Sequence, residues 1–190
     1  MMIIGLCGLA GSGKDEVAAI LSRRYRFAAI SFAGPIYKAV SEITGLPPDR
    51  LKDREQKERP IPWLGKSPRE LLQTLGTEWG RHMVRDDIWI KIAMRRASEQ
   101  ERYGWHSVIT DVRFDNEAEV IHEAGGQVWR VERPGAGLSG QAAGHPSEAG
   151  ISDHLINQVI RNAGTLDDLE EAVDAAFHRL PSARIEVSTP

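Results

Sequence analysis

Short apolar runs alternate along the chain with longer amphipathic stretches. Met2-Ile3-Ile4-Gly5-Leu6-Cys7 reads as a buried strand, and Glu16 to Leu21 continues an amphipathic helix over about 14–25. Phe27-Ala28-Ala29-Ile30-Ser31-Phe32 predicts a second strand. Gly34-Pro35 opens a helix through about Ile43, with the proline in its first turn. Residues 46–66 break the pattern. Pro47, Pro48, Pro60 and Pro62 bracket a charged stretch from Asp49 to Arg59, which predicts a mobile insertion. Ser67-Pro68-Arg69-Glu70 is a helix start with a cap, an early proline and a capping-box glutamate. The helix it opens is expected to run to about Met83, with Leu71, Leu72 and Leu75 on one face, and another covers roughly 87–101.

The second half repeats the alternation. Val108-Ile109-Thr110-Asp111-Val112 predicts a strand carrying one acid, and Asn116 to Ala124 a helix stopped by Gly125-Gly126. Gln127 to Val131 alternates like a strand, after which Arg133-Pro134 begins a loop rich in Gly, Ala and Ser to about Gly150. A short strand near 158–161 precedes a helix from Thr165 to Leu180. This order predicts an α/β fold with a mostly parallel central sheet flanked by helices. No repeat and no second hydrophobic core is visible, so 1–180 reads as one domain with attachments at 34–85 and 134–150, followed by a flexible tail, 181–190.

Composition narrows the function classes. With 190 residues, 41% of them hydrophobic, the chain can bury roughly 70% of its unfolded surface. A net charge of -3 argues against a nucleic-acid partner. The single cysteine, Cys7, leaves no internal disulfide, which points to a reducing, cytoplasmic setting. No run approaches the length of a membrane span, and the apolar N-terminus runs straight into Lys14 without a basic leader.

The candidate chemistry begins at Gly8-Leu9-Ala10-Gly11-Ser12-Gly13-Lys14-Asp15. It matches the phosphate-binding pattern of glycines, lysine and helix except at its last position, where Asp15 replaces Ser or Thr. Glycines allow the positive φ angles that wrap backbone around a phosphate chain, Lys14 adds charge, and the following helix points its positive end at the anion. An acid at 111 suits Mg²⁺ coordination near such a loop, directly or through water; capping of the following turn is the competing role. Arg113, Asn116 and Glu117 fit either an acceptor-binding cluster or a helix opening. Phosphoryl transfer must exclude water, so 34–85 is expected to hold an acceptor and 134–150 to close as a lid. Histidines at 82, 106, 122, 145, 154 and 178 lack metal-ligand spacing, and zinc is not expected.

Further segments recur in a known order. These are Phe32-Ala33-Gly34-Pro35-Ile36-Tyr37-Lys38, Arg69 with Leu72 to Glu78, Arg81, Trp89, and Asp111 to Glu117. Gly125-Gly126, His145-Pro146-Ser147-Glu148 and Asn162-Ala163-Gly164-Thr165-Leu166 complete the series. Together they resemble the deoxynucleoside monophosphate kinases of tailed phages and prophages, within the P-loop kinase fold, over roughly 3–180. The resemblance implies that Gly11, Ser12, Gly13, Lys14, Asp15 and Glu16 bind ATP, although relatives often carry Thr where Glu16 stands. It also implies that Lys38, Arg69 and Arg85 grip the acceptor phosphate; Arg113, Asn116 and Glu117, in their acceptor-binding reading, would join them. Asp15 and Asp111 would hold Mg²⁺. Arg133 would cover the transferring phosphates or the adenine, and His145 and Glu148 would fasten the lid. Trp89 would stack the acceptor base, or, with Ile88 and Ile92 at helical spacing, belong to the core. The implied reaction is in-line transfer of the γ-phosphoryl group of ATP to a deoxynucleoside monophosphate, with Lys14, Arg133 and Asp111 at the transfer point and small nucleotides as partners. A homodimer stays open. So do a P-loop kinase for dephospho-coenzyme A or phosphomevalonate and a non-catalytic nucleotide-binding module.

Overall fold

Five strands form one all-parallel sheet in the order β2-β3-β1-β4-β5. They are β1 (Ile3–Cys7), β2 (Phe27–Ile30), β3 (His106–Ile109), β4 (Gln127–Glu132) and β5 (Gln158–Arg161). The computed structural model describes residues 1–137 and 150–180. The central strand β1 is buried at all five positions, with Gly5 opposite Ile109 on one side and Val128 on the other. A strand covered on both faces reads as a continuous apolar run, which is why β1 shows no alternation. Ile4 and Leu6 pack with Val17, Ile20 and Leu21 of α1 (Lys14–Tyr25) and with Leu169 and Val173 of α8 (Leu166–His178). On the other face, Gly5 makes room for Ile121 of α7 (Asp115–Glu123): an added Cβ would stand 2.6 Å from the Ile121 methyl.

The chain divides into two compact units, Met1–Ile30 with Ala97 onward, and Ser31–Arg96. The first holds the sheet, α1, α7 and α8. The second contains the region 34–85 and is helical. It comprises α2 (Gly34–Thr44), α3 (Pro48–Lys52), α4 (Arg54–Glu58), α5 (Pro68–Gln73) and the first part of α6 (Ile88–Arg102). The expected mobile insertion at 46–66 is therefore corrected. Asp53 caps α4 by accepting from the Gln56 amide, and Leu51 of α3 is 0% exposed, with Ile61 also buried. Two apolar anchors suffice to hold a charged segment whose prolines start turns and helices.

The Ser67 capping box forms as the sequence indicates: its hydroxyl accepts from the Glu70 amide, and the Glu70 carboxylate accepts from Ser67 N–H at 2.8 Å. Past Gln73 the single expected helix widens into a π-helix, Thr74–Val84. The widening accompanies close packing at two glycines. Gly76 approaches Ile36, and a Cβ on Gly80 would lie 2.5 Å from the Trp89 ring. The Gly76 carbonyl then accepts from the Trp89 indole N–H at 2.7 Å. The third strand also ends earlier than expected, at Ile109. Thr110 N–H donates to the Ile30 carbonyl and Val112 N–H to the Leu6 carbonyl. Asp111 thus stands just beyond the strand, at its carboxyl end, and not within it.

Candidate active site

The turn between β1 and α1 takes positive φ at Gly8 (132°), Gly11 (78°) and Gly13 (102°). At Gly8 no side chain fits, because a Cβ would overlap the Val131 carbonyl oxygen of the neighbouring strand. Gly13 serves as the N-cap of α1 and provides no side-chain cap, so the first-turn N–H groups have no capping side chain. Such groups, together with the helix dipole, favour an anion. Lys14 Nζ donates to the carbonyls of Gly8 (2.7 Å) and Leu9 (2.9 Å), which holds the ammonium over the loop. Ser12 is 1% exposed, and its hydroxyl has no hydrogen-bond partner. A buried hydroxyl without a partner is costly, and a phosphate oxygen would satisfy it.

A cavity of about 540 Å³ opens at the carboxyl end of the strands. It is lined by Gly8, Ser12, Lys14, Asp111, Arg113 and Arg133, among others. This is where parallel α/β sheets place their ligands. Gly11, Gly13, Asp15 and Glu16 belong to the same loop and first helical turn but fall outside the lining. Arg133 is exposed and also borders a shallower depression with Pro134, Arg161 and Ala163. The start of the proposed lid touches the loop, since Gly137 N–H donates to the Ala10 carbonyl at 3.0 Å. Most of that lid, 138–149, including His145 and Glu148, lies outside the described residues, as does the tail from 181.

One cavity residue carries no signal of its own in the sequence. Arg130 sits in β4 where the alternation of buried positions makes it look like an ordinary half-exposed charge. Its guanidinium donates to the Asp153 carboxylate at 2.6 Å and the Ile151 carbonyl at 2.8 Å. Burial pushes the neighbouring Cys7 thiol up, against the opposing pull of Arg130. Asp115 accepts from both the hydroxyl (2.6 Å) and the N–H (2.9 Å) of Ser152, contacts that hold its carboxyl below the usual range. The segment 151–153 is therefore pinned from β4 and from the start of α7.

The remaining expected residues separate by what they touch. Glu117 is buried beneath the 111–117 segment, and its carboxylate accepts from the backbone N–H groups of Arg113 (2.8 Å) and Phe114 (3.2 Å). These contacts order the backbone that leads into α7. Asn116 is exposed on the first turn of α7. In the second unit, Lys38 is exposed on α2, Arg69 in the first turn of α5 pairs with Glu58, and Arg85 pairs with Asp87. Trp89 is 6% exposed, with its indole N–H committed to Gly76, as a core residue would be.

Metal chemistry is constrained by the donor set. Among the described residues, no group of three or more His, Cys, Asp or Glu is placed to hold an ion. Asp111 in the cavity offers a hard oxygen donor, which fits a cation that takes its other ligands from phosphates and water, as Mg²⁺ does.

A glycine loop, lysine and helix at the carboxyl end of the central strand of a five-stranded parallel sheet define a P-loop kinase fold. The chain belongs to the deoxynucleotide monophosphate kinase family, whose model matches residues 62–173. A protein of Acanthamoeba polyphaga mimivirus that bears a provisional deoxynucleotide monophosphate kinase name is 36% identical over 160 residues, covering 78% of this chain and 81% of its own. The deoxynucleoside-5'-monophosphate kinase of Escherichia phage T5 is 30% identical, over 64% of this chain and 72% of its own. Two solved structures share the fold at low identity. One, from Thermus thermophilus, is 22% identical with a TM-score of 0.50 and covers 94% of this chain and 97% of its own. The other, a sugar kinase from a Janibacter species, is 12% identical with a TM-score of 0.51 and covers 96% and 98%. The loop at 8–15 lies before the family match, so its assignment rests on its own residues and geometry. Among the described residues no helix is long and apolar enough to cross a membrane.

Proposed function

We propose that the chain transfers the γ-phosphoryl group of ATP to a deoxynucleoside monophosphate, yielding the diphosphate and ADP. The observation that carries this is the loop at 8–14: positive-φ glycines and uncapped helix N–H groups, with Gly8, the lysine and a buried unpartnered hydroxyl on one cavity wall. The donor triphosphate lies along this loop. An oxygen of the acceptor phosphate attacks the γ-phosphorus as the bond to the β-γ bridging oxygen breaks. That acceptor oxygen is already ionised, so no general base is required, and catalysis is positioning plus neutralisation of charge. Lys14 moves from the loop carbonyls to the β- and γ-oxygens. Ser12 donates to a phosphate oxygen, and Arg133, bordering both depressions, spans the donor. Asp111 holds Mg²⁺, directly or through water, and Asp15 assists from the first turn of α1; the ion, when bound, neutralises charge on the β- and γ-phosphates. Lys38, Arg69, Arg85, Arg113 and Asn116 bind the acceptor, for which the planar forks of arginine suit a phosphate dianion. Glu117 holds the backbone of Arg113 in place, and Trp89 supports the second unit from within.

The test is turnover with ATP and Mg²⁺ across the common deoxy- and ribonucleoside monophosphates, following ADP release. Acceptor-dependent release with at least one deoxynucleoside monophosphate is expected, and its collapse in Lys14→Ala with unchanged melting. ATP binding without acceptor-dependent turnover would overturn the proposal.

A further inference from the structure

The peptide unit between Ser12 and Gly13 has a fault built into it. Glycine at 13 permits the φ of 102° that the loop needs, but it also makes rotation of the preceding peptide plane cheap. In a trans peptide the carbonyl and the N–H point in opposite directions from one rigid plane. Whichever way the Ser12 carbonyl points, the Gly13 N–H therefore points the other. Flipped one way, the plane offers a donor to the phosphate site; flipped the other, it offers a repelling carbonyl dipole.

One side chain removes that freedom. Asn162 Nδ2 donates to the Ser12 carbonyl at 2.9 Å, across 150 positions of sequence. The facing atom must be the nitrogen, since a carbonyl only accepts. The same amide lies against Gly13 so closely that a Cβ there would overlap it. Asn162 is itself fixed. Its N–H donates to the Glu132 carbonyl at 2.7 Å, continuing the pairing of β4 with β5. Just beyond, Thr165 and Asp168 close a capping box at the start of α8, and the turn leaves no room for a Cβ at Gly164 against Asp168. The asparagine is thus a short, rigid arm from the far side of the sheet.

We infer that Asn162 is a positioning residue for the donor triphosphate: by holding the Ser12 carbonyl, it aims the Gly13 N–H into the phosphate cradle. This rests on the reading of 8–14 as a triphosphate loop. Asn162 touches neither reacting atom, so its effect is on phosphate binding and alignment.

The experiment compares Asn162→Ala, which removes the arm, with Asn162→Leu, which keeps its branched outline, somewhat enlarged, but no donor. Two probes are used in the full chain: ATP, and inorganic tripolyphosphate as a competitive inhibitor lacking a base. Both variants are expected to weaken ATP and tripolyphosphate together, by about tenfold for loss of one such hydrogen bond. The KM of the acceptor should stay within about twofold of the parent's. If ATP weakens while tripolyphosphate binding is unmoved, Asn162 contacts the base and the proposal fails. It also fails if Leu restores both affinities, because packing alone is then responsible, or if neither variant changes either affinity. Should Leu fail to fold, Ala with the two probes decides the same question. Lys14→Ala is the control for the underlying reading. Full activity there condemns the loop assignment itself, whereas inactivity there with normal Asn162 variants condemns only the arm.

Discussion

Replacing Trp89 by leucine separates the two roles foreseen for this residue. The ring is 6% exposed and lies against Gly80 in the π-helix, and its N–H satisfies the Gly76 carbonyl. Leucine removes the donor and with it one buried hydrogen bond, a cost of about 0.5–1.5 kcal/mol. It also empties part of the space the indole fills, and large-to-small changes at buried aromatics cost about 3–5 kcal/mol when carried to alanine. Leucine retains some of that volume, so a combined loss of about 3–5 kcal/mol is expected. For a chain of this size each kcal/mol moves the midpoint by about 2–4 °C, giving a fall of roughly 6–20 °C. The assay is thermal melting by circular dichroism, paired with acceptor KM measured well below the new midpoint. If Trp89 is core, the midpoint falls and acceptor KM is nearly unchanged. If it stacks a base, the loss appears in binding, where stacking is worth about 1–3 kcal/mol per base, or roughly 5- to 150-fold in KM. An unchanged midpoint with a tenfold rise in acceptor KM would refute the packing argument.

Three further outcomes are expected. Leu51→Ala should lower the stability of the helical unit by about 2–5 kcal/mol, measured by urea unfolding, because the side chain is fully buried; a loss below about 0.5 kcal/mol would return 46–66 to the status of a mobile insertion. Arg133→Ala should lower kcat by about 10²-fold with a smaller change in the KM for ATP, as for other fixed charges on a transferring group, and equal effects on both would deny it a transition-state role. His106 is held below its ordinary value of 6.5 by burial, then by the N-terminal ammonium and Arg26, and its Nδ1 accepts from Met2 N–H. The unfolded chain therefore binds this proton more readily. The stabilisation is complete above about pH 6.5 and is lost as pH falls toward the depressed folded value. The stability of His106→Asn should accordingly depend less on pH between 7 and 5, and an equal slope would exclude the residue as the source.

Local chemistry in the sequence translated well into local structure. The glycines at 8, 11 and 13, the Ser67 and Glu70 box and the Thr165 cap each act over a few residues, and each appears where its spacing indicates. What stayed hidden depends on contacts far apart in the chain. Leu51 is a lone apolar residue among charges, so no periodicity marks it; only its burial does. The π-helix coincides with Gly80 meeting Trp89, a contact no helix propensity encodes. Asp111 was legible as an acid near the loop, but its place just past β3 depends on where the backbone stops following β2 and β1. Arg130 and Asn162 show the limit most plainly, one an unexceptional strand charge and the other an amide whose partner is 150 positions away.

The strand order has a consequence for how the chain comes off the ribosome. β1 is the centre of the sheet, yet both its neighbours, β3 and β4, are encoded roughly 100 residues after it. At about 5–20 residues per second, the most apolar strand of the protein waits roughly 5–20 seconds for its first partner. The whole helical unit emerges in that interval and can pack on its own local contacts, while Ile3, Ile4 and Leu6 have α1 for cover but no strand partner. The nucleotide loop, attached to this strand, therefore waits for segments made long after it. Nascent chains stalled before residue 106 should accordingly expose a sticky, unpaired strand that chaperones can seize, and chains released past β4 should not.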